Sequence, residues 1–412
     1  MKNRSLFPHG PTILEYGLGF LALRGALLLQ ILLMCIGCNG DVRADISDAP
    51  LLSKDDLVYL GAFRVPRKDI NRNTFSYGGR ALAFNPVNNS LFIMGHVKNQ
   101  LTAEISIPQI IDSVRRDELK TAEFIQPFHD PTNGRRHLID PGDRNGIRIG
   151  GHLVHGDRLY VSAYAYYDAN GSQKASHFAR PQQLAETDLL TGPVPVGRRV
   201  HFTSGYMGTV PFEWQALLGG PALTGNCCRS IISKHSFGPA LSVFDPEDIG
   251  REERVAATTL VHYTSKNPLG PGETSKNPFF NRTTRIEGVA FPNNTRSVLF
   301  FGKHGTGEFC YGSGSECGDP ARSQKGNHAY PYTYQVWAYD ATDLLRVKRG
   351  KTQPYRVLPY EIWQIELPQK VNTSHGIGGV AFDPVTRNLY ISQIRGDIKH
   401  LPLIHVFRVA NP

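Results

Sequence analysis

One strand pattern returns four times along the 412 residues: SYGGRALAFNPVNNSLFIMGH at 76 to 96, RIGGHLVHGDRLYVSAY at 148 to 164, RIEGVAFPNNTRSVLFFGKH at 285 to 304, and GIGGVAFDPVTRNLYIS at 376 to 392. Each copy has a Gly-containing start, a short apolar strand, a turn of Asn, Asp, Gly or Pro, and a second strand. A unit of this kind is an antiparallel hairpin, and its return at wide spacing makes the chain a repeat architecture.

A further strand follows each hairpin and runs into a Pro or Ala turn: EISIPQI at 104 to 110, HFARPQQL at 177 to 184, LSVFDPEDI at 241 to 249, VWAYDATDL at 336 to 344 and IHVFRV at 404 to 409. That set has five members. The extra one exposes a diverged repeat, in which WQALLGGPALTG and RSIISKH at 214 to 235 take the place of the hairpin. Outer strands are expected at 122 to 128, 200 to 206, 258 to 263 and 360 to 367, and the last repeat lacks one because the chain ends. LVYLGAFRV at 57 to 65 supplies it and closes a ring without open sheet edges. The predicted fold is all-β: a single β-propeller of five four-stranded blades closed by an N-terminal strand. About 370 residues suit five blades of roughly 40 to 45 residues plus inserts. The best helical segment, IIDSVRRDELKT at 110 to 121, reads as a short crossover.

Residues 1 to 44 read as an export signal, with Lys2, Arg4 and Arg24 ahead of the apolar stretch Ala26 to Ile36, and residues 45 to 412 as the propeller domain. Two endings compete. Cys35-Ile36-Gly37-Cys38 is similar to a lipobox with Cys38 acylated, and Val42-Arg43-Ala44 suits ordinary cleavage. Both place the domain outside the cytoplasm: periplasmic, an outer-membrane lipoprotein, or secreted. The domain keeps Cys227, Cys228, Cys310 and Cys317, and the short Gly- and Ser-rich loop between Cys310 and Cys317 favours a disulfide there.

Net charge is +9, and removing four cations and two carboxylates with residues 1 to 44 leaves +7. A basic excess outside the cytoplasm fits an anionic ligand such as an acidic glycan. Nucleic acid is disfavoured, because there is no Lys or Arg run and the chain carries an export signal. Membrane contact is expected only through a lipid anchor at Cys38.

Repeat alignment gives a site expectation. Aligning Phe84, Phe291 and Phe382 brings Arg80, Glu287 and Gly378 to one inner-strand position, with Gly150 joining them. Aligning Leu91, Leu159, Leu299 and Leu389 brings His96, Tyr164, His304 and Ile394 together at the end of the second strand. Matching Ile231-Ile232-Ser233 to Tyr390-Ile391-Ser392 adds His235. The inserts 129 to 147, 165 to 176, 264 to 284 and 305 to 333 open from the same face, where binding groups concentrate on a rigid scaffold. Each histidine either caps its strand or meets a ligand.

The residue types suit three chemistries. An acidic sugar needs cations at its carboxylate, here Arg80, Arg148 and Arg285, with His235 as a further contact. In β-elimination His96, Tyr164 or His304 removes the proton. Hydrolysis needs two carboxyl groups, of which Glu287 is one, with Glu213 or Glu308 as its partner. A divalent metal held by imidazoles from several blades is the third, though no local metal motif supports it.

The hairpin motif GVAFDP-x-x-x-NLYIS resembles those of β-propeller proteins of the secreted or lipid-anchored bacterial kind. The resemblance covers the whole domain and implies fold only; there is no Trp-Asp signature of the WD40 type. The resulting expectation is an extracytoplasmic propeller whose insert-bearing face binds a polar, anionic glycan, with cleavage by a lyase or hydrolase step as its extension. The alternative is a non-catalytic interaction scaffold.

Overall fold

All five repeats become four-stranded antiparallel sheets in the structure, a computed structural model that describes residues 48–142, 146–228, 235–272, 274–368 and 376–410. Blade 1 runs Leu82–Asn85, Ser90–Met94, Thr102–Ser106, Phe124–His129; blade 2 runs Ile147–His155, Arg158–Ala165, His177–Pro181, Thr191–Val194. Blade 3 is Met207–Thr209, Ala222–Thr224, Leu241–Phe244, Ala257–Val261, and blade 4 is Arg285–Ala290, Ser297–Gly305, Tyr332–Asp340, Glu361–Gln364. Blade 5 takes Ile377–Phe382, Asn388–Gln393 and Leu403–Val409 from the C-terminal end and Leu57–Arg64 as its outermost strand. The first strand of each blade lies beside the first strand of the next, from blade 1 through blade 5 and back to blade 1. The fold is a five-bladed β-propeller.

The ring is closed where the sequence places the closure. Leu57 pairs opposite Val409 and Arg64 opposite Leu403, so the last blade is completed by the beginning of the domain. Arg64 then ties the closure from within: its guanidinium donates to Asp397 at 2.7 and 2.8 Å, and both side chains are buried.

Both faces of each blade are covered by neighbouring blades, which is why strands such as Ser90–Met94 and Ser297–Gly305 are buried along their whole length. Phe92, Ile149 and Val161 pack between blades 1 and 2, and Leu299, Val380 and Ile391 between blades 4 and 5. Burial of each such side chain contributes about 2 kcal/mol. At two inner-strand glycines near the axis a neighbouring backbone approaches so closely that a side chain does not fit. A Cβ on Gly150 would lie 2.1 Å from the Ser204 carbonyl oxygen, and one on Gly378 would lie 2.1 Å from that of Gly79.

Blade 3 departs from the expected hairpin. Its first two strands are 207 to 209 and 222 to 224, and they are joined by a helix, Phe212–Leu218. Pro211 stands at its N-cap and Gly219, in the left-handed region, ends it by donating to the Gln215 carbonyl. Residues 231 to 233, aligned above with blade 5, lie outside the described residues, and His235 belongs to no strand. The outer strand of blade 2 is Thr191–Val194 rather than 200 to 206, where a single 3-10 turn, Val200–Phe202, is found. Residues 110 to 121 form turns and bridges without a helix. Residues 1 to 44, with Cys38, also lie outside the described residues.

Candidate functional site

The Arg-Ile-Gly-Gly and Arg-Ile-Glu-Gly starts of blades 2 and 4 set the site, because their arginines sit at the end of the inner strand that faces the axis. Pairing register then decides what stands beside each. Arg148 lies opposite Tyr164, and Arg285 lies opposite Lys303. Both hairpins are bulged one residue later, between Ile149 and Gly151 and between Ile286 and Gly288. A bulge of this kind re-aims side chains at the rim of a sheet.

These groups open into a cavity of about 630 Å³. Arg80, Arg148, Arg285, Lys303, Arg322 and Arg395 line it, and Glu287 is the one carboxylate among the described lining residues. Tyr164, Tyr166 and Tyr167 add aromatic surface from blade 2 and its insert. Glu287 is buried and accepts a 3.0 Å hydrogen bond from Arg80. Arg395 packs over the ring of Tyr77, 4.9 Å from its centroid.

Lys303 is the most constrained cation. It is 8% exposed, lies 4.2 Å from the centroid of the Tyr332 ring, and has no ion-pair partner among the described residues. Burial, reinforced by Arg285 and Arg322, lowers its pKa to about 7.

The insert after blade 4's second strand supplies one wall. Cys310–Gly312 pairs with Gly326–His328, and Cys310 is disulfide-bonded to Cys317. Beneath it the Asp319 carboxylate accepts from Tyr332 at 2.6 Å and from His328 at 2.7 Å. Burial raises the pKa of Asp319, but these hydrogen bonds outweigh it and hold the group below the usual carboxylate range. The anchored turn presents Ala321 to Gln324 to the cavity, with Arg322 held by the Asn327 carbonyl.

Five of the residues named from sequence meet in this cavity: Arg80, Arg148, Tyr164, Arg285 and Glu287. The three histidines do not line it. His304 is fully buried, donating from Nε2 to the Asn277 carbonyl at 2.8 Å and bonded through Nδ1 to Thr284 at 2.9 Å. His235 donates to the Ser236 carbonyl and packs against Phe237. His96 accepts from the Lys98 amide and meets the edge of Tyr77. All three are occupied as strand-end or loop residues.

For His304 the reason is a register offset; His96 lies beyond the end of its strand, Ser90–Met94, and His235 belongs to no strand. Aligning Leu159 with Leu299 put His304 opposite the position of Tyr164, whereas the pairing gives that place to Lys303. One residue turns a strand side chain to the other face. Lys303 was therefore missed, and Arg322 and Arg395 come from loops that no repeat alignment reaches. No count from the arginine starts reaches Lys303, because Tyr164 lies 16 residues after Arg148 whereas Lys303 lies 18 after Arg285.

The donor set does not suit a divalent cation. No histidine and a single carboxylate line the cavity among the described residues, against six cationic side chains that repel a metal ion. Nor does it provide the carboxylate pair of a hydrolase; Glu213 instead accepts from the Asn294 amide in the hairpin turn of blade 4, and Glu308 is exposed beside Lys276. A second cavity, about 560 Å³ in volume, lies beside blade 3 and is lined by Arg199, Phe202 and His262 without any carboxylate. Charge converges at the first.

No family model matches the chain, and no curated protein sequence matches it. Among solved structures it overlaps a glycoside hydrolase described with the GH130 mannoside phosphorylases as acting on β-1,2 mannosidic linkages in Candida mannan, at 11% identity, TM-score 0.43, and coverage of 89% of this chain and 98% of that one. It also overlaps an exo-1,5-α-L-arabinanase from a bovine ruminal metagenomic library, at 11% identity, TM-score 0.40, and coverage of 81% and 94%. A Trichoderma reesei carbohydrate-active enzyme of family AA12 overlaps at 9% identity, TM-score 0.40, and coverage of 89% and 100%. At scores below 0.5 these overlaps carry no functional argument.

Proposed function

We propose that the propeller binds an anionic glycan, with uronate carboxylates as the charged groups, in the cavity at the insert-bearing end of its channel. The observation that carries this reading is six cationic side chains around one ion-paired carboxylate in about 630 Å³. Concave walls focus such a field and raise the local concentration of an anion. The volume suits a few sugar rings. Three tyrosines favour a ring-shaped polyol over a bare inorganic anion, since each offers an apolar face with a polar tip. An export signal in residues 1 to 44, as the sequence leads one to expect, would put the encounter outside the cytoplasm, where acidic polysaccharides are met.

The test is calorimetric titration of the full domain with oligogalacturonate, oligoalginate and chondroitin oligosaccharides, each beside a neutral oligosaccharide of equal length. Binding of at least one acidic series, weakened by salt and by Arg148→Ala or Arg285→Ala, is the expected result. Equal affinity for the neutral series, or no binding of any acidic one, overturns the reading in favour of an interaction scaffold.

A further inference from the structure

We propose that Lys303 is the proton acceptor of a β-elimination that cleaves uronyl glycosides in this cavity. The inference rests on the anionic-glycan reading and adds a reaction and a catalytic residue to it.

Three observations converge. Glu287, the one carboxylate lining the cavity among the described residues, is held by Arg80 at 3.0 Å, so the two carboxyl groups of glycoside hydrolysis are not assembled. The arginines that would receive a uronate carboxylate are those that make its α-proton acidic, because they stabilise the enolate-like charge that develops as the proton leaves. Beside them stands an amine rather than a further guanidinium. Lys303 lies opposite Arg285 in the hairpin, above the face of Tyr332, and has no ion-pair partner among the described residues.

The charged neighbours of Lys303 favour its neutral form. Arg285 on the paired strand, Arg322 on the insert and Arg80 on blade 1 all oppose protonation, and Asp319 is the counter-charge that supports it. With burial they bring the amine's pKa to about 7, the range in which a base is both free and strong enough to act at neutral pH. A bound carboxylate would be neutralised by the arginines, leaving the surroundings of Lys303 cationic.

In the step itself, the neutral Lys303 amine takes the proton from the carbon bearing the carboxylate. The C–H electron pair becomes the new carbon–carbon double bond, and the bond from the adjacent carbon to the glycosidic oxygen breaks with its electrons on oxygen. That oxygen takes a proton from the Tyr164 hydroxyl, and the tyrosinate is reprotonated as Lys303 gives up its proton through solvent. No water, oxidant or metal is consumed.

The experiment follows the ultraviolet absorbance of the unsaturated product, reducing-end release and calorimetric binding, using the same oligouronate panel with wild type, Lys303→Met and Lys303→Arg. Wild type is expected to form the unsaturated product with an ascending pH limb near 7, and both variants to lose about 100-fold or more in kcat. Lys303→Arg, which keeps the charge, is expected to bind within about threefold of wild type, so a lost reaction with kept binding separates the base from a merely structural cation. Independently of substrate, acetylation of Lys303 read by mass spectrometry should show a midpoint near 7 and protection by bound oligouronate. Reducing ends without the chromophore, full turnover by Lys303→Arg, or a labelling midpoint at the ordinary lysine value overturns the inference. Binding without elimination removes the inference and leaves the glycan reading standing; no binding removes both.

Discussion

Arg80 of blade 1 donates a 3.0 Å hydrogen bond to Glu287 of blade 4, although a whole blade stands between them in the ring. Repeat alignment puts both at one position, although Glu287 lies within its inner strand and Arg80 just before Leu82–Asn85. Blade 5 carries Gly378 there, so no side chain separates them. The pair is partly exposed on the arginine side and buried on the glutamate side, and Glu287 is the one carboxylate among the described residues that line the cationic cavity.

Removing that charge should tighten the site. Glu287→Gln is expected to raise affinity for an acidic oligosaccharide by about fivefold, equivalent to about 1 kcal/mol, and to free Arg80 for the ligand. Titrations of the variant at two salt concentrations check this; weaker binding would show that Glu287 contacts the sugar directly.

Lys303 should cost the fold stability near neutral pH. Its pKa falls from 10.5 to about 7 on folding, so between these values the unfolded chain binds more protons and stability rises with pH. Lys303→Met lacks this dependence. Its stability relative to wild type is expected to be greatest at pH 7 and below and to shrink as pH approaches 10.5, as measured by urea unfolding across that range.

Three buried histidines should make the fold acid-sensitive. His152 bonds to Thr102, His177 to Ser176 and Thr224, and His405 to Tyr59 and Gln393, and burial pushes each pKa down to about 3. Their stabilisation as neutral groups is complete above the unfolded value of 6.5 and is lost as pH falls towards 3. Each contributes a slope of about 1.4 kcal/mol per pH unit in that window. Unfolding of His177→Gln and His405→Gln at pH 7 and pH 5 should show a flatter dependence than wild type.

The Arg64 to Asp397 pair should hold the ring closed. Arg64→Met leaves a buried carboxylate without its partner, a change that typically costs roughly 3 to 5 kcal/mol. Thermal unfolding should report it, and the double variant with Asp397→Leu should recover part of the loss.

The Cys310–Cys317 bond should matter more for the cavity than for the barrel of blades. A disulfide closing a short loop contributes about 2 to 3 kcal/mol to local order. Replacing both cysteines by serine is expected to increase proteolysis within 306 to 331 and to weaken anion binding several-fold, with the thermal midpoint of the propeller little changed.

The sequence by itself determined the blade count, the closing role of residues 57 to 65 and the face from which the inserts open. These follow from local pattern: strand length, turn residues and the spacing of repeats are all written along the chain. It also named Arg80, Arg148, Arg285 and Glu287, because hairpin starts are marked by their glycines, and Tyr164 from the end of a second strand. Only the tertiary structure decided which groups stand beside them. Both hairpins carry the bulge but their turns differ in length, and that difference shifts the leucine-based register by a residue and exchanges His304, turned into the protein, for Lys303, turned to the cavity. Arg322 and Arg395 reach the same space from loops far apart in sequence, brought together by ring closure and by the Asp319, His328 and Tyr332 anchor. Strand pattern is a short-range property, whereas the meeting of side chains from different blades depends on how the sheets pack around a common axis.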